Sequence, residues 1–581
     1  MMNFELAKLF YDLADILEAQ GVQWKPAAYR KAARTIESLQ EPIEDIYGEK
    51  GLKALEEMPG IGESIAEKIV EFIKTGKISA YEKEMKKLPS GFTEMMEIQS
   101  LGPKKAKILY QKLKIRSIKD LEKAIKEHKI AKLKGFGPKS EENILAGLEM
   151  RKKRKERMLL GEAVPTAEYI VNQLKKLNEI QHISPAGSLR RMKETIGDID
   201  ILVVPKDEKP ATIKKIMNYF TTLPEVSRVL AKGETKSSVV LKNGIQADVR
   251  VLPDKIYGAA LQYFTGNIDH NVKLRGIAIK KGFKLSEYGL FDRKTNRLVA
   301  GKTEEEIYKK LGLSYMEPEL RENTGEIEAA QRGKLPKLVE LKDIKGDLHI
   351  HTNWSDGSDT IEDMISAARD LNYKYVAFTD HSKSDTIAHG MDAKRLEKYI
   401  AAVRSSAKKF KDIKVLVGAE VYIHADGSLD YSDNILKKLD IVIASIHRNF
   451  KMPKEQMTSR ILKALSNKYV SIFAHPTTRQ IYRREPINFD KKKVFEFCAK
   501  NKIALEINAG PVRLDLGDSD IKGAISFGCK LIINTDAHNT NQLNYMRFGV
   551  AMARRGWAEA KDIVNTYQLE ALPKIFNHLR F

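Results

Sequence analysis

The chain has 581 residues, of which 42% are hydrophobic and 31% charged, with a formal net charge of +22. That length exceeds what one hydrophobic core organises, so several domains are expected, and the positive surplus favours a polyanionic partner, nucleic acid first. The only cysteines, Cys498 and Cys529, lie in apolar contexts, which excludes a disulfide framework and points to buried thiols in a reducing compartment.

The opening segment Met1-Met2-Asn3-Phe4-Glu5-Leu6-Ala7-Lys8 reads as an acidic amphipathic helix rather than a signal peptide, and no apolar run reaches membrane-spanning length. A cytoplasmic protein without a membrane partner is expected. Leu6, Leu9, Phe10, Leu13 and Leu17 recur at helical spacing, and Gly21 stops that helix. A short pattern then repeats: Met58-Pro59-Gly60-Ile61-Gly62, Ser100-Leu101-Gly102-Pro103-Lys104 and Lys134-Gly135-Phe136-Gly137-Pro138-Lys139. The basic run Arg151–Lys155 is expected to lead into a further helix. From about Gly161 the pattern turns mixed, with a strand at Ile199–Val204 and a hairpin across Asn243-Gly244, a favoured tight-turn pair. A smaller segment carries Tyr263-Phe264-Thr265-Gly266, and the polar stretch from Glu319 to Val339 looks like a linker. Beyond it strands alternate with helices at Val376–Thr379, Val415–Val417, Ile441–Ser445, Val470–Ala474, Ile503–Ile507 and Leu531–Thr535. Such alternation signifies a parallel α/β architecture, a barrel in this reading, with its site at the carboxyl ends of the strands.

Glycine pairs ahead of a helix let backbone N–H groups approach a phosphate closely, with the helix N-terminus behind them. A single copy would simply end a helix. Three copies with lysines just inside the next helix form the helix-hairpin-helix pattern and point to sequence-independent DNA binding. The middle copy departs from it, with Gln99-Ser100 where Pro-Gly is usual.

Asp198 and Asp200 lie two apart on a predicted strand, so their carboxylates share a face, and Asp248 on the adjoining hairpin completes a trio. Three clustered carboxylates require cations; two divalent ions about 3.5–4 Å apart would serve nucleotidyl transfer, and hard oxygen ligands suit Mg²⁺. Gly187-Ser188 supplies a tight turn and N–H donors, and Arg191 a charge for phosphates. An isolated Asp-x-Asp is usually a solvated strand end; the flanking turn and Asp248 argue otherwise. Nine of the twelve histidines follow residue 348. His349 and His351 share a strand face, and Asp356, Asp380-His381, Glu420, His447, His475, Asp536 and His538 follow at predicted strand ends. Imidazole with carboxylate suits Zn²⁺, Mn²⁺ or Fe²⁺.

These residues resemble the nucleotidyltransferase fold and, more narrowly, the family X DNA polymerases typified by DNA polymerase beta. The resemblance implies that Tyr263, Phe264 and Gly266 form the sugar-selecting segment, that Asn271 contacts the incoming dNTP and that Arg275 contacts the template strand. Ile268 stands where polymerase beta has an aspartate. The amino-terminal region resembles the family's lyase domain: Lys25, Tyr29, Arg30 and Lys31 match the segment that binds a 5′-phosphate, and Lys68 matches the Schiff-base amine, whereas Ser64 and Trp24 replace basic residues. The carboxy-terminal stretch resembles the polymerase-and-histidinol-phosphatase (PHP) domain, whose nine ligand positions are filled by His349, His351, Asp356, His381, Glu420, His447, His475, Asp536 and His538. Tyr422 departs from that family's usual aspartate.

Together the resemblances cover essentially the whole chain and imply a bacterial or archaeal family X polymerase with a PHP domain. The expected order is a lyase-like helix-hairpin-helix domain (1–80), a second hairpin subdomain (81–155), an α+β palm (156–253), a nucleotide-selection subdomain (254–318), a linker (319–340) and a distorted β/α barrel (341–581). The implied function is gap filling in base excision repair on gapped or nicked DNA. With it come a Mn²⁺- or Zn²⁺-dependent 3′–5′ exonuclease, abasic-site endonuclease or 3′-end phosphodiesterase and, at Lys68, either 5′-deoxyribose-phosphate lyase action or a simple phosphate contact from a hairpin helix. A monomer is expected. The alternatives left open are a structural PHP domain without turnover and nucleotidyl transfer to a substrate other than DNA.

Overall fold

The computed structural model describes residues 2–37, 39, 42–86, 92–96, 98, 101, 103–576 and 579. Its first segment is all-helical, as the 3.6-residue periodicity requires. Helices Met2–Ala19, Lys25–Glu37, Ile43–Glu56 and Glu63–Thr75 enclose Leu6, Phe10, Ala33, Ile36, Ile69 and Phe72. Gly21 takes φ +83° just beyond the first helix, a left-handed conformation that only glycine adopts without steric cost. A second small core of Leu109, Leu121, Ile125 and Ile144 gathers Pro103–Leu113, Ile118–Lys126 and Pro138–Glu156. Ser117 caps the middle helix by accepting from the Asp120 amide at 3.1 Å. The basic run Arg151–Lys155 is itself the end of helix Pro138–Glu156, and the expected further helix, Leu160–Leu174, follows after the two-residue strand Met158–Leu159.

A five-stranded sheet follows, built from β1 (Ile180–Pro185), β2 (Asp198–Pro205), β3 (Val226–Lys232), β4 (Lys236–Leu241) and β5 (Gln246–Val251), in the order β1-β2-β5-β4-β3. The expected hairpin joins β4 to β5, and Gly244 takes φ +87° in its turn. Alternation along β2 sorts its side chains. Ile199, Ile201 and Val203 pack under Leu160–Leu174 and Pro210–Thr221, while Leu202 and Val204 meet Ala260 and Leu261 on the opposite face, the one Asp198 and Asp200 share.

The next subdomain combines helices Tyr257–Thr265, Ile268–Lys280 and Glu304–Lys310 with a meander of β6 (Phe283–Ser286), β7 (Gly289–Asp292) and β8 (Leu298–Ala300). Within the polar stretch 319–340, helix Glu326–Gln331 packs back on this core through Ile327 and Ala330, and buried Glu326 meets His270 Nδ1 at 2.8 Å.

The carboxy-terminal domain is a seven-stranded, all-parallel sheet in chain order: β9 (Gly346–Ile350), β10 (Tyr375–Phe378), β11 (Lys414–Tyr422), β12 (Ile441–Ser445), β13 (Ile472–Phe473), β14 (Ala504–Asn508) and β15 (Leu531–Asn534). The His351 amide donates to the Ala537 carbonyl at 2.8 Å, so the last strand returns to the first and the barrel is nearly closed. These strands are buried on both faces, which is why they read as apolar runs. The palm and barrel cores are continuous, with Ile199 and Val376 in one cluster. Gly161 abuts Pro511 so closely that a Cβ there would lie 2.4 Å from the proline, and Arg479 pairs with Glu194 at 2.8 Å across the same junction.

Two candidate metal centres

The parallel register of β2 and β5 places Asp200 directly beside Asp248, with Asp198 at the start of the same strand. Burial first, then the charges of Asp198 and Asp248, push the Asp200 carboxyl up to about 6. Burial opposes ionisation of Asp248 too, but Lys236 Nζ at 2.6 Å and Gln246 Nε2 at 3.0 Å, with Ser238, hold its carboxyl below the usual range. The trio is therefore a crowded anionic face partly neutralised by Lys236. Lys236 escaped the sequence reading; its signal is its place on the strand paired with Asp248.

Gly187 takes φ +64°, and a Cβ on it would stand 2.9 Å from Asp200 Oδ2. Only glycine lets the turn Gly187-Ser188 approach the carboxylates this closely. Arg191 follows on the same turn; its Nε donates to Glu322 at 3.0 Å and its Nη1 to the Thr265 carbonyl. Tyr263 and Phe264 form an edge-to-face pair 5.2 Å apart, with the Arg250 guanidinium 4.4 Å from the Phe264 ring. Asn271 donates to the Tyr263 carbonyl at 2.7 Å and accepts from Gln262 at 2.6 Å, and Gly266 (φ +71°) lies against Arg191. Arg275 is half-buried on helix Ile268–Lys280. Arg191, Tyr263, Phe264, Gly266 and Asn271 thus form one contact chain next to the trio.

In the barrel, strand ends bring the histidines together. Three overlapping groups can each hold a metal ion: His351, Asp356, His381 and His538; His349, His351 and Asp536; and His381, Glu420 and His447. They share His351 and His381, so they form one multi-metal cluster, and His475 joins through Glu420 at 3.0 Å. His349 Nε2, His351 Nε2 and Glu420 Oε2 are buried without hydrogen-bond partners, which is what ligand atoms facing a cation site look like. The donors therefore fit a group of transition-metal ions. Burial opposes charge throughout, yet Glu420 and Asp356 push the His381 imidazolium up to about 10, and the surrounding histidines hold Glu420 well below its usual range. Burial and then Arg513 bring His475 down to about 4. His475 (φ +27°) and Asp536 (φ +55°) sit in the left-handed region, a strain that the barrel ends impose on two ligand positions.

Three supporting residues were not assigned from sequence. Glu506 on β14 meets His349 Nδ1 at 2.7 Å, leaving Nε2 for the cluster. Asp380, the neighbour of His381, accepts from Thr352 N at 3.0 Å and Ser355 Oγ at 2.5 Å and so orders the loop that carries Asp356. Arg513 lies 3.7 Å from Asp536, with a buried, unpartnered Nη1. A lone carboxylate in the apolar run Ala504–Ile507 was the available signal for Glu506.

The amino-terminal candidates are more dispersed. Lys31 packs against Gly60 (φ +80°), the Tyr29 ring lies tilted against Phe10 with centroids 5.6 Å apart, and Lys25 is exposed. Arg30 is held by Asp15 and Glu18, each at 2.5 Å. Lys68 donates to the Ser64 carbonyl at 2.7 Å and to its hydroxyl at 2.9 Å. Gly62 heads helix Glu63–Thr75; Gly135 (φ +90°) and Gly137 form the third hairpin, whose Lys139 pairs with Glu142. Gly102 and the Lys104 side chain lie outside the described residues. A cleft of about 1730 Å³ runs between this domain, the palm and the barrel, lined by Lys31, Arg34, Asn353, Asp356, His389 and Arg483, and Arg34 reaches within 3.8 Å of Asp356.

A carboxylate-bearing palm behind helical hairpins, continuous with a multi-metal barrel, defines a nucleic-acid polymerase joined to a metal-dependent phosphoesterase fold. Family comparisons agree segment by segment: a helix-hairpin-helix domain matches residues 1–78, a SAM-like helix-hairpin-helix tandem 92–150, the DNA polymerase beta palm 157–244, the DNA polymerase beta thumb 260–322 and the PHP domain 347–509. The chain is 37% identical over 573 residues to the DNA polymerase/3'-5' exonuclease PolX of Bacillus subtilis (strain 168), covering 98% of each. It is 25% identical over 343 residues to DNA polymerase lambda of Rattus norvegicus, covering 55% of this chain and 56% of the other. It is 30% identical over 146 residues to the Repair DNA polymerase X of African swine fever virus, covering 24% of this chain and 82% of the other. The chain belongs to the family X DNA polymerases of the PHP-bearing PolX type. Among the described residues no helix is long and apolar enough to cross a membrane.

Proposed function

We propose that this polymerase fills short gaps in DNA during base excision repair and processes 3′ ends at its barrel, as a 3′–5′ exonuclease with abasic-site endonuclease or 3′-phosphodiesterase action. The observation that carries this reading is the pair of separate ligand sets, all-carboxylate and imidazole-rich, on one continuous core. Asp198, Asp200 and Asp248 hold the palm centre and orient the primer 3′-hydroxyl. Gly187, Ser188 and Arg191 receive the triphosphate, while Tyr263, Phe264 and Gly266 fit the sugar edge, Asn271 the minor-groove side and Arg275 the template. Mg²⁺ bound there would neutralise the triphosphate and ease loss of the hydroxyl proton. In the barrel, the nine ligands would hold Mn²⁺ or Zn²⁺, which supply an activated water and a grip on the phosphoryl oxygen. The hairpins hold the DNA backbone on either side of the gap, and Lys68 supplies the amine for a 5′-deoxyribose-phosphate lyase step, tested by borohydride trapping of Lys68 and Lys68→Ala. The chain acts as a monomer.

The test uses a one-nucleotide gap bearing a 5′-phosphate. Asp198→Ala with Asp200→Ala is expected to abolish extension and spare 3′ trimming; His349→Ala with His351→Ala is expected to do the reverse. Equal loss of both activities from either folded double variant would overturn the two-centre reading. The name of the Bacillus relative, which includes a 3'-5' exonuclease, supports the barrel assignment.

A further inference from the structure

One buried side chain of the barrel reaches into the nucleotide pocket of the polymerase. Arg555 ends the helix Met546–Arg555, which packs on β14 and β15, and its side chain is only 2% exposed. Its Nη2 donates to Asp518 at 2.5 Å within the barrel domain. Its Nη1 leaves that domain, donating to the Arg191 carbonyl at 2.8 Å and to Glu322 Oε1 at 3.0 Å. The same Glu322 oxygen accepts from Arg191 Nε at 3.0 Å, and the other accepts from Asn267 Nδ2 at 3.1 Å. Arg191 then donates onward to the Thr265 carbonyl. One carboxylate thus ties the barrel to both walls of the pocket: the turn that carries Arg191, and the turn Thr265-Gly266-Asn267 that follows Tyr263 and Phe264.

We propose that Arg555 is a positioning residue for nucleotidyl transfer, acting through Glu322 to hold Arg191 and the Gly266 turn ready for the triphosphate of the incoming nucleotide. The physical reason is charge sharing. Arg191 is largely buried, so an unshared carboxylate at 3.0 Å would cancel its charge and draw it off the phosphates. With Arg555 on the same oxygen, Glu322 is divided between two guanidiniums, and Arg191 keeps both its place and its attraction for a polyanion. The barrel domain is on this view a working wall of the polymerase pocket. The inference rests on the proposed role of Arg191 as a triphosphate contact.

The experiment is steady-state single-nucleotide insertion on gapped duplex DNA with Mg²⁺, measured for the full-length enzyme and for Arg191→Ala, Arg555→Ala, Arg555→Lys, the double alanine variant and Glu322→Gln. Arg555→Ala is expected to raise KM for the dNTP about tenfold, with a smaller change in kcat, as for truncation of a buried charge partner. Arg555→Lys restores part of the loss, and 3′ trimming of a single-stranded oligonucleotide by the barrel stays at wild-type rate, which reports an intact fold. The double variant is expected to be no worse than Arg191→Ala, because the two act as one unit. Unchanged KM in Arg555→Ala, or effects of Arg191→Ala and Arg555→Ala that multiply, overturns the relay. If Arg191→Ala itself leaves KM unchanged, the underlying triphosphate assignment fails instead. Should Arg555→Ala not fold, Glu322→Gln removes the shared charge while leaving Arg555 its tie to Asp518; an unchanged KM there also overturns the relay.

Discussion

Glu506 is fully buried on β14, and donors surround both of its oxygens. Oε1 meets His349 Nδ1 at 2.7 Å and the Asn534 amide at 3.0 Å; Oε2 accepts from the His475 backbone at 2.7 Å and from Asn508 at 3.3 Å. Glu506→Gln keeps the volume but puts an amino group where an acceptor is needed. Turned toward His475, that group faces two donors; turned toward His349, it forces the proton from Nδ1 to Nε2 and removes the nitrogen that faces the cluster. Each buried donor left unmet costs about 1–3 kcal/mol, and loss of such a carboxylate behind a histidine ligand typically weakens metal binding about 10–100-fold. The expected outcome is a folded variant that needs about 10–100-fold more free Mn²⁺ or Zn²⁺ to reach the wild-type metal content, measured by equilibrium dialysis and elemental analysis. Its metal-dependent gain in Tm shrinks while gap filling persists. A folded variant with wild-type content at every free-metal concentration would refute the claim that Glu506 orients His349.

Four other expectations follow from the same geometry. Burial opposes ionisation of Glu304, but Arg321 and Arg190 lower its carboxyl to about 2 from 4.5, a difference of about 3 kcal/mol. That stability is present above the ordinary glutamate value and lost as pH falls toward about 2, so the unfolding gap between wild type and Glu304→Gln should narrow from pH 7 to pH 3; a gap independent of pH refutes it. Because Asp200 is pushed up to about 6 and a cation must displace its proton, the Mg²⁺ needed for half-maximal insertion should rise about tenfold between pH 7 and pH 5, and a flat requirement counts against the trio as ligands. Gly187→Ala, at φ +64° and with its Cβ 2.9 Å from Asp200, should cut insertion at least tenfold with little change in 3′ trimming, and wild-type insertion would show the turn to be slack. After chelation, Mg²⁺ alone should restore insertion but not trimming, and micromolar Mn²⁺ should restore trimming; full trimming with Mg²⁺ alone refutes the difference in donor chemistry.

The order of folds was legible because each segment announces a different period. Helical spacing at Leu6, Phe10 and Leu13, the Asn243-Gly244 turn and the apolar runs at Val376, Val415 and Ile441 all correspond to observed elements. The strand expected at Val470–Ala474 contracts to Ile472–Phe473, because the residues on either side turn away to bring His475 to the cluster. The polar stretch after residue 318 hid a helix whose few apolar residues, Ile327 and Ala330, are enough to pack when Glu326 is satisfied by His270. Composition alone cannot distinguish such a segment from a linker, since its polarity is answered by one buried partner rather than by solvent.

For the sites, the division runs between ligands and their supports. Asp198, Asp200, His349 and His351 declare themselves because a two-residue spacing on a strand puts like donors on one face, a pattern that packing alone has no use for. Lys236, Glu506, Asp380 and Arg555 carry no such pattern, since each is a single polar residue whose partner is distant in sequence. Lys236 meets Asp248 only because β4 and β5 pair, and Asp380 meets Ser355 only because two barrel loops face each other. Arg555 meets Glu322 across 233 residues, so its role exists only once the two domains have docked. Glu506, Asp380 and Arg555 share burial of charge in an apolar setting, whereas Lys236 stays partly exposed. Buried charge is costly unless its hydrogen bonds are met, so an isolated charged residue inside an apolar run, Glu506 in Ala504–Ile507 above all, already implies that another part of the chain must come to it. Sequence therefore states that a partner is required, and the three-dimensional fold states which one.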